Sequence, residues 1–287
     1  MFFGLLSTHR PRAGRPELLF LLLFGIPAHG EIVATYLGNE GVMVSYGEHK
    51  ILFDPLYRNS YQQYELVPDA MEDALFAGEA PFDGVDVVFV SHRHGDHFSA
   101  PDMARLLQQH SSLRLYAPAQ AVAAMLPLIP DDNSLYARIV GIDLEYGDPP
   151  IVIGEGPMTI SVVRIPHSGW PDSMTDIQNM AFRVTIDNAA TVAHFGDADT
   201  SDIHFAQHAE HWASERIDMA FPPYWYFSSE KGRHVLSTRL KPRHSVGIHV
   251  PARMPDNPMQ RPAEYQGFDL FTRPGQTRRI GIIEAKD

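Results

Sequence analysis

The 287-residue sequence contains no cysteine. Disulfides, thiolate metal sites and a cysteine nucleophile are thereby excluded, and any bound metal must be held by His, Asp or Glu. Positive charge is scarce as well: 23 Lys and Arg face 35 Asp and Glu, a formal net charge of −12. No Lys- or Arg-rich tract offsets it, which argues against nucleic acid as a partner. No internal repeat, low-complexity tract or clear linker is visible. Hydrophobic residues make up 44% and charged residues 20%, the balance of a globular chain rather than a disordered one. The length suits one large α/β domain or two small ones. Histidine is plentiful, with 15 residues, and supplies raw material for a metal site without sulfur.

Apolar runs are short. Near the N-terminus, Arg10, Arg12 and Arg15 form a basic region, and residues 18–26 form an apolar run too short to span a bilayer as a helix. Pro27 breaks it, and Ala28-His29-Gly30 places small residues where a signal peptidase reads, with cleavage before Glu31. That order matches a secretory signal peptide over residues 1–30; a buried helix or a short membrane anchor is the alternative. Residues 31–287 then form a single exported domain, periplasmic or secreted, with no stable membrane span in its mature form. Loss of the leader, which carries three Arg and one Glu, would make the chain more negative by two charges.

Short β-type runs at 31–37, 42–46 and 49–53 are separated by Gly38-Asn39-Glu40-Gly41 and Gly47-Glu48, and predict an antiparallel meander. Residues 54–83 read as a long loop with a helix near 69–76. The continuous apolar run 85–90 predicts a strand buried on both faces. A helix over 101–110 follows, with Ser99 as a cap, then a strand over 113–117 and a helix over 118–125. Beyond Pro130, strands are predicted at 151–153, 158–165, 181–186, 191–195, 217–221 and 245–250, with helices at 203–212 and 229–240. From Pro251 onward the sequence is rich in Pro and Arg and weakly periodic. Strands followed by helices, twice over, predict an αββα sandwich: two mixed sheets face to face with helices on both outer faces.

The strongest local signal is Ser91-His92-Arg93-His94-Gly95-Asp96-His97. The pattern H-x-H-x-D-H arises by chance in well under roughly 1% of chains this long, and its setting adds weight. An apolar strand ends at Val90 and a helix begins just after, so a tight turn can aim several imidazoles at one point. Neutral imidazole and carboxylate are what zinc takes when no thiolate is available. A polar loop with incidental histidines is the competing reading.

This motif resembles the signature of the metallo-β-lactamase superfamily. The resemblance continues to His167 after the strand 158–165, to Asp197 in His194-Phe195-Gly196-Asp197, and to His249 in Gly247-Ile248-His249-Val250. It runs from about residue 32 to 253 and implies two metal ions. By resemblance, His92, His94 and His167 hold the first, Asp96, His97 and His249 hold the second, and Asp197 bridges them. Asp199 competes with Asp197 for the bridge; Asp197 is preferred because it follows Gly directly at the strand end. Asp54, in Phe53-Asp54-Pro55, matches an Asp that the family keeps beneath the metals and would orient a ligand; a turn residue before proline is the alternative.

Lactamases of this fold that carry H-x-H-x-D-H lack the bridging Asp, so Asp197 counts against an antibiotic-resistance enzyme. Gly196-Asp197-Ala198-Asp199-Thr200, Ile217-Asp218-Met219-Ala220-Phe221-Pro222 and Leu240-Lys241-Pro242 are similar to the ascorbate-phosphate-lactonase-like branch. The resemblance implies an exported binuclear hydrolase, with Zn2+ as the metal and Mn2+ or Fe as alternatives. A metal-bridging hydroxide would attack an ester, lactone or phosphoester-type bond of a small molecule, with Asp96 or Asp197 accepting the proton. An iron-dependent oxidoreductase of the same fold and a non-catalytic binding protein are the other two readings.

Trp170 and the segment Tyr224-Trp225-Tyr226-Phe227 offer either an aromatic rim for a partly apolar substrate or core packing. Arg253 offers a phosphate or carboxylate contact or is a surface residue. His204, His208 and His211 fall on one face of the helix 203–212 and read as a solvated face, with a third metal as the alternative. His194 reads as a hydrogen-bonded core residue. His110, His234 and His244 show no partner pattern.

Overall fold

The computed structural model describes residues 30–131 and 133–282. The predicted leader, apart from Gly30, lies outside the described residues.

Among the described residues, thirteen strands form two mixed sheets. The first contains β1 (Glu31–Gly38), β2 (Gly41–Tyr46), β3 (His49–Phe53), β4 (Val87–Phe89), β5 (Arg114–Pro118), β6 (Ile139–Ile142) and β13 (Thr277–Gly281), in the order β13-β1-β2-β3-β4-β5-β6. The meander β1-β2-β3 is antiparallel; β3, β4, β5 and β6 run parallel. The second contains β7 (Ile151–Glu155), β8 (Met158–Arg164), β9 (Met180–Ile186), β10 (Ala190–His194), β11 (Met219–Phe221) and β12 (His244–Ser245), in the order β12-β11-β10-β9-β8-β7. Here β7 to β10 pair antiparallel, and β10, β11 and β12 pair parallel.

Strand alternation sorts the apolar residues into three layers, as a side-chain period of two requires. Val42 and Val44, Ile51 and Phe53, Val87 and Phe89, Ile160 and Val162, and Phe182 and Val184 meet in the layer between the sheets. The residues between them point outward. Met43, Leu52 and Val88 pack under α1 (Asp69–Ala77), α2 (Ala100–Gln109) and α3 (Ala119–Met125) through Leu75, Phe76, Leu106, Leu107 and Met125. After the short α4 (Asn133–Tyr136), the other outer face is covered by α5 (Asp202–Ala206), α6 (Ala209–Ala213), α7 (Trp225–Ser228) and α8 (Glu230–His234). There Val163, Ala181 and Ala193 meet Phe205, Trp212, Tyr226 and Val235. The architecture is the expected αββα sandwich.

Several local expectations are corrected. The helix over 203–212 is two short helices broken at Gln207 and His208. His204 and His208 are buried rather than solvated, because Phe205 and Trp212 turn that face onto the sheet; only His211 is partly exposed. The helix over 229–240 is α8, with the Ser229 hydroxyl accepting from the Gly232 N–H, continued as a π-helical segment Val235–Leu240. The strand at 245–250 shortens to β12 plus isolated bridges at Gly247 and Ile248. Ser99 stands at the start of α2, but its hydroxyl donates to the Asp102 side chain rather than capping the backbone. Strands β6 and β13 are additional to those the sequence predicts.

Candidate metal centre

The strand directions carry the candidate ligands to one edge of the sandwich. The β1–β2 turn and the segments after β3, β4, β8, β10 and β12 deliver Glu40, Asp54, the 92–97 motif, His167, Asp197 and His249 respectively. The structure brings all seven predicted ligands together. His92, His94, His167 and Asp197 offer ligand atoms within 4.8 Å of one another, and so do Asp96, His97 and His249. Asp197 faces both groups. Its Oδ2 lies 3.1 Å from His167 Nε2 and 3.9 Å from His92 Nε2, and its Oδ1 lies 3.2 Å from His249 Nε2 and 3.5 Å from His97 Nε2. Asp199 stands outside this arrangement: its carboxylate accepts from the Ser201 N–H and faces His204.

Hydrogen bonds on the far side of the rings set the tautomers. Asp54 Oδ1 accepts from the Ser91 N–H at 2.7 Å and Oδ2 from the Ser91 hydroxyl at 2.5 Å. With its proton committed there, the Ser91 oxygen accepts from His92 Nδ1 at 3.0 Å. His97 Nδ1 donates to Asp54 Oδ2 at 2.9 Å, and His167 Nδ1 donates to the Ser168 carbonyl at 2.7 Å. In all three the Nε2 lone pair is left facing the cluster. His97 Nε2, His167 Nε2, Asp197 Oδ1 and both ring nitrogens of His249 are buried without a hydrogen-bond partner. Buried polar atoms without partners are costly, and the lone pairs among them call for something electropositive. Divalent cations fit that requirement, and nitrogen and carboxylate oxygen are ligands they take.

A family model described as the beta-lactamase superfamily domain matches residues 49–246. The chain belongs to the metallo-β-lactamase-fold superfamily. Among curated proteins it is 25% identical over 247 residues to a metal-dependent hydrolase of Polaromonas sp., covering 83% of this chain and 84% of that protein. Among solved structures, the metallo-beta-lactamase fold protein YhfI from Bacillus subtilis is similar at a TM-score of 0.56 and 17% identity, covering 87% of this chain and 99% of that one. A metallo hydrolase from the archaeon Ignicoccus hospitalis is similar at a TM-score of 0.56 and 16% identity, over 87% of this chain and 98% of that one.

In this superfamily member burial and neighbouring charges compete across the cluster. Burial, helped by His97, holds His92 well below the ordinary imidazole range, and burial lowers His94 too, so both present lone pairs. Burial also works against protonation of His97 and His249, but Asp197 and neighbouring carboxylates outweigh it; His249 is pushed up to about 10. Conversely, burial raises Asp197, yet His249 and His97 win and hold it well below the carboxylate range. The same carboxylates would draw cations to His97 and His249, where a cation would displace any proton on the ring nitrogen that faces the cluster.

Backbone devices fix the loops. Gly196 adopts φ +53°, and a Cβ there would come within 2.4 Å of Asn179 Oδ1 and 2.6 Å of Ser91 Cβ. Asn179 Oδ1 accepts from the Asp197 N–H, while its Nδ2 donates to the carbonyls of Ile165 and Phe195, tying the His167 and Asp197 segments together. Asn39 does the same on the other side: its Nδ2 donates to the Asp96 carbonyl and its own carbonyl accepts from the His249 N–H. Sequence reasoning takes Asn39 and Glu40 only as turn residues and gives Asn179 no role, because none of the three lies in a motif that points to the site. His194 is a buried core residue, stacked on Phe53 at 4.9 Å.

The aromatic residues divide between rim and core. Tyr226 and Phe227 are buried, whereas Tyr224 and Trp225 are half-buried. Trp225 meets the His249 ring edge-on at 5.3 Å, and Tyr64 does so at 4.1 Å from the other element. Trp170 packs against Tyr146 and His204, and Arg253 is exposed.

Proposed function

We propose that the chain is a metal-dependent hydrolase that holds two divalent cations, one among His92, His94 and His167 and one among Asp96, His97 and His249, with Asp197 between them. The observation that carries this reading is the Asp197 carboxylate, whose two oxygens are divided between the two groups. Zinc suits an all-nitrogen-and-oxygen set of this kind, and Mn2+ and iron share it. Two such cations would supply Lewis acidity and lower the pKa of a bound water. Asp96 Oδ2, 3.4 Å from His249 Nε2, and the Asp197 oxygens are the carboxylate atoms placed to take the proton of an attacking water. Asp54 and Ser91 keep His92 and His97 in the tautomer that leaves Nε2 free.

The substrate reading is a small molecule with an ester, lactone or phosphoester-type bond. Tyr64 and Trp225 beside His249 give one wall an aromatic face suited to a partly apolar body. Likeness in the 196–200 and 217–222 segments favours the ascorbate-phosphate-lactonase-like branch. The leader-like sequence over residues 1–30 supports export, to the periplasm or beyond the cell, and the net charge of −12 speaks against nucleic acid as substrate. The name of the Polaromonas relative, a metal-dependent hydrolase, agrees with this reaction class.

The test is elemental analysis of purified protein combined with turnover of lactone, phosphodiester, thioester and β-lactam panels. Two metal equivalents, with hydrolysis lost on chelation and restored by Zn2+, are expected. Full activity in metal-free protein would overturn the proposal. The second reading, an iron-dependent oxidoreductase, is favoured by one comparison: 93 residues are 29% identical to a zebrafish cytidine monophosphate-N-acetylneuraminic acid hydroxylase, though these span 30% of this chain and 14% of that protein. Tightly held iron with a visible absorption band would select it.

A further inference from the structure

Glu40 sits in the turn between β1 and β2, where a charged residue is ordinarily solvated, yet it is fully buried. Neither carboxylate oxygen has a hydrogen-bond partner. An unpaired buried carboxylate is strongly destabilising unless a compensating charge is near. Its surroundings are the back of the metal cluster. Oε2 lies 3.6 Å from His97 Nδ1, the ring nitrogen opposite the one that faces Asp96 and Asp197. It is also 3.6 Å from His194 Nε2. Glu40, Asp197 and His249 offer atoms within 4.8 Å of one another. The same turn supplies the Asn39 carbonyl to the His249 N–H and the Asn39 amide to the Asp96 carbonyl. Apart from the His194 contact, these fall on the Asp96, His97 and His249 group or on the Asp197 bridge.

Charge counting points the same way. Asp54, Asp96, Asp197 and Glu40 are all buried here, four carboxylates in one small volume. Two divalent cations carry four positive charges. Glu40 adds a fourth buried negative charge beside the cation pair, away from water, where Coulomb terms are least screened.

We propose that Glu40 is a positioning residue of the centre, which backs His97 from the Nδ1 side and supplies the fourth buried negative charge that retains the cation at Asp96, His97 and His249. The inference rests on the binuclear reading above.

The test compares metal-free wild type with Glu40→Gln and Glu40→Asp. Each is titrated with Zn2+ by calorimetry, analysed for metal after dialysis, and melted with and without Zn2+. Wild type should bind two equivalents. Glu40→Gln should keep the first and bind the second at least about tenfold more weakly, the scale of losing a supporting residue behind a metal ligand. Glu40→Asp, which keeps the charge, should fall between them. Metal-free Glu40→Gln should melt no lower than metal-free wild type, since the amide has the carboxyl's shape and Glu40 makes no hydrogen bond there, and should gain less from Zn2+. Two equivalents bound at wild-type affinity would overturn the assignment. So would a Glu40→Gln protein that fails to fold or melts lower without metal, because Glu40 would then serve packing. Wild type binding fewer than two equivalents would instead overturn the binuclear reading itself.

Discussion

Asp54 Oδ2 accepts from His97 Nδ1 at 2.9 Å while the same oxygen accepts from the Ser91 hydroxyl at 2.5 Å. One carboxylate at the end of β3 thereby sets the tautomer of His97 directly and that of His92 through Ser91. Asp54 holds a left-handed backbone, φ 40°, to reach this position. Asp54→Asn should lower Zn2+ affinity by roughly 10–100-fold, the scale found for residues that orient metal ligands. Competition against a coloured chelator reads this directly. Affinity equal to wild type would show that Asp54 is only a turn residue.

Asp197 and Asp199 separate bridge from scaffold. Asp197→Ala should fold and lose at least about a hundredfold in activity, comparable to removing a main electrostatic stabiliser. It should also retain less metal. Asp199 instead accepts from the Ser201 N–H and faces His204, so Asp199→Ala should act through that loop with a far smaller effect on rate. Rates and metal content of the two purified variants decide it; an equal or larger loss at Asp199 would move the bridge to that residue.

Gly196 is required by both its backbone and its neighbours. At φ +53° an L side chain costs about 1–2 kcal/mol, and the Cβ of Gly196→Ala would strike Asn179 Oδ1 and Ser91 Cβ. Both neighbours hold metal-ligand segments and cannot yield freely. For a protein of this size each kcal/mol lowers the melting temperature by about 2–4 °C, so a drop of several degrees is expected, together with weaker metal binding. An unchanged melting curve would mean that the loop relaxes without strain.

The ligand set was legible because it is local or sits at strand ends. Four of the seven candidates lie within His92 to His97, and His167 and Asp197 follow the apolar runs that became β8 and β10. The layers were legible because Val42-Met43-Val44 and Ile51-Leu52-Phe53 send alternate side chains to two different cores. What escaped depends on distant chain. Asn179 is informative only once folding sets it against Ile165 and Phe195. Glu40 reads as turn material until His97 and His194 close over it. The 203–212 segment shows a helical histidine stripe, but the large rings of Phe195, Phe205 and Trp212 draw that face inward. Strand β13 carries Arg278 and Arg279 and has no apolar signature; it pairs with β1 through the backbone.

Asp269 ties the two sheets at that same edge. Its carboxylate accepts from Arg278 of β13 at 2.7 and 2.8 Å and faces His244 Nε2 of β12 at 2.9 Å. Burial raises the Asp269 pKa, but the bonds from His244 and Arg278 outweigh it and bring it to about 2. An unfolded Asp titrates near about 3.9. The folded state therefore binds the proton less tightly than the unfolded one. The resulting stability is fully present above about pH 4 and is lost as pH falls towards 2. The ion pair is partly open to water, so screening reduces its worth to about 1 kcal/mol. Asp269→Asn should accordingly melt about 2–4 °C lower than wild type at pH 7. That gap should narrow steadily as pH is lowered below about 4, because protonated Asp269 resembles the amide. Metal-free samples of both proteins, melted across the series from neutral to acid, keep acid-driven metal loss out of the comparison, and titration of the shared ligands cancels between the two. A gap that stays constant with pH would assign the effect to shape rather than charge.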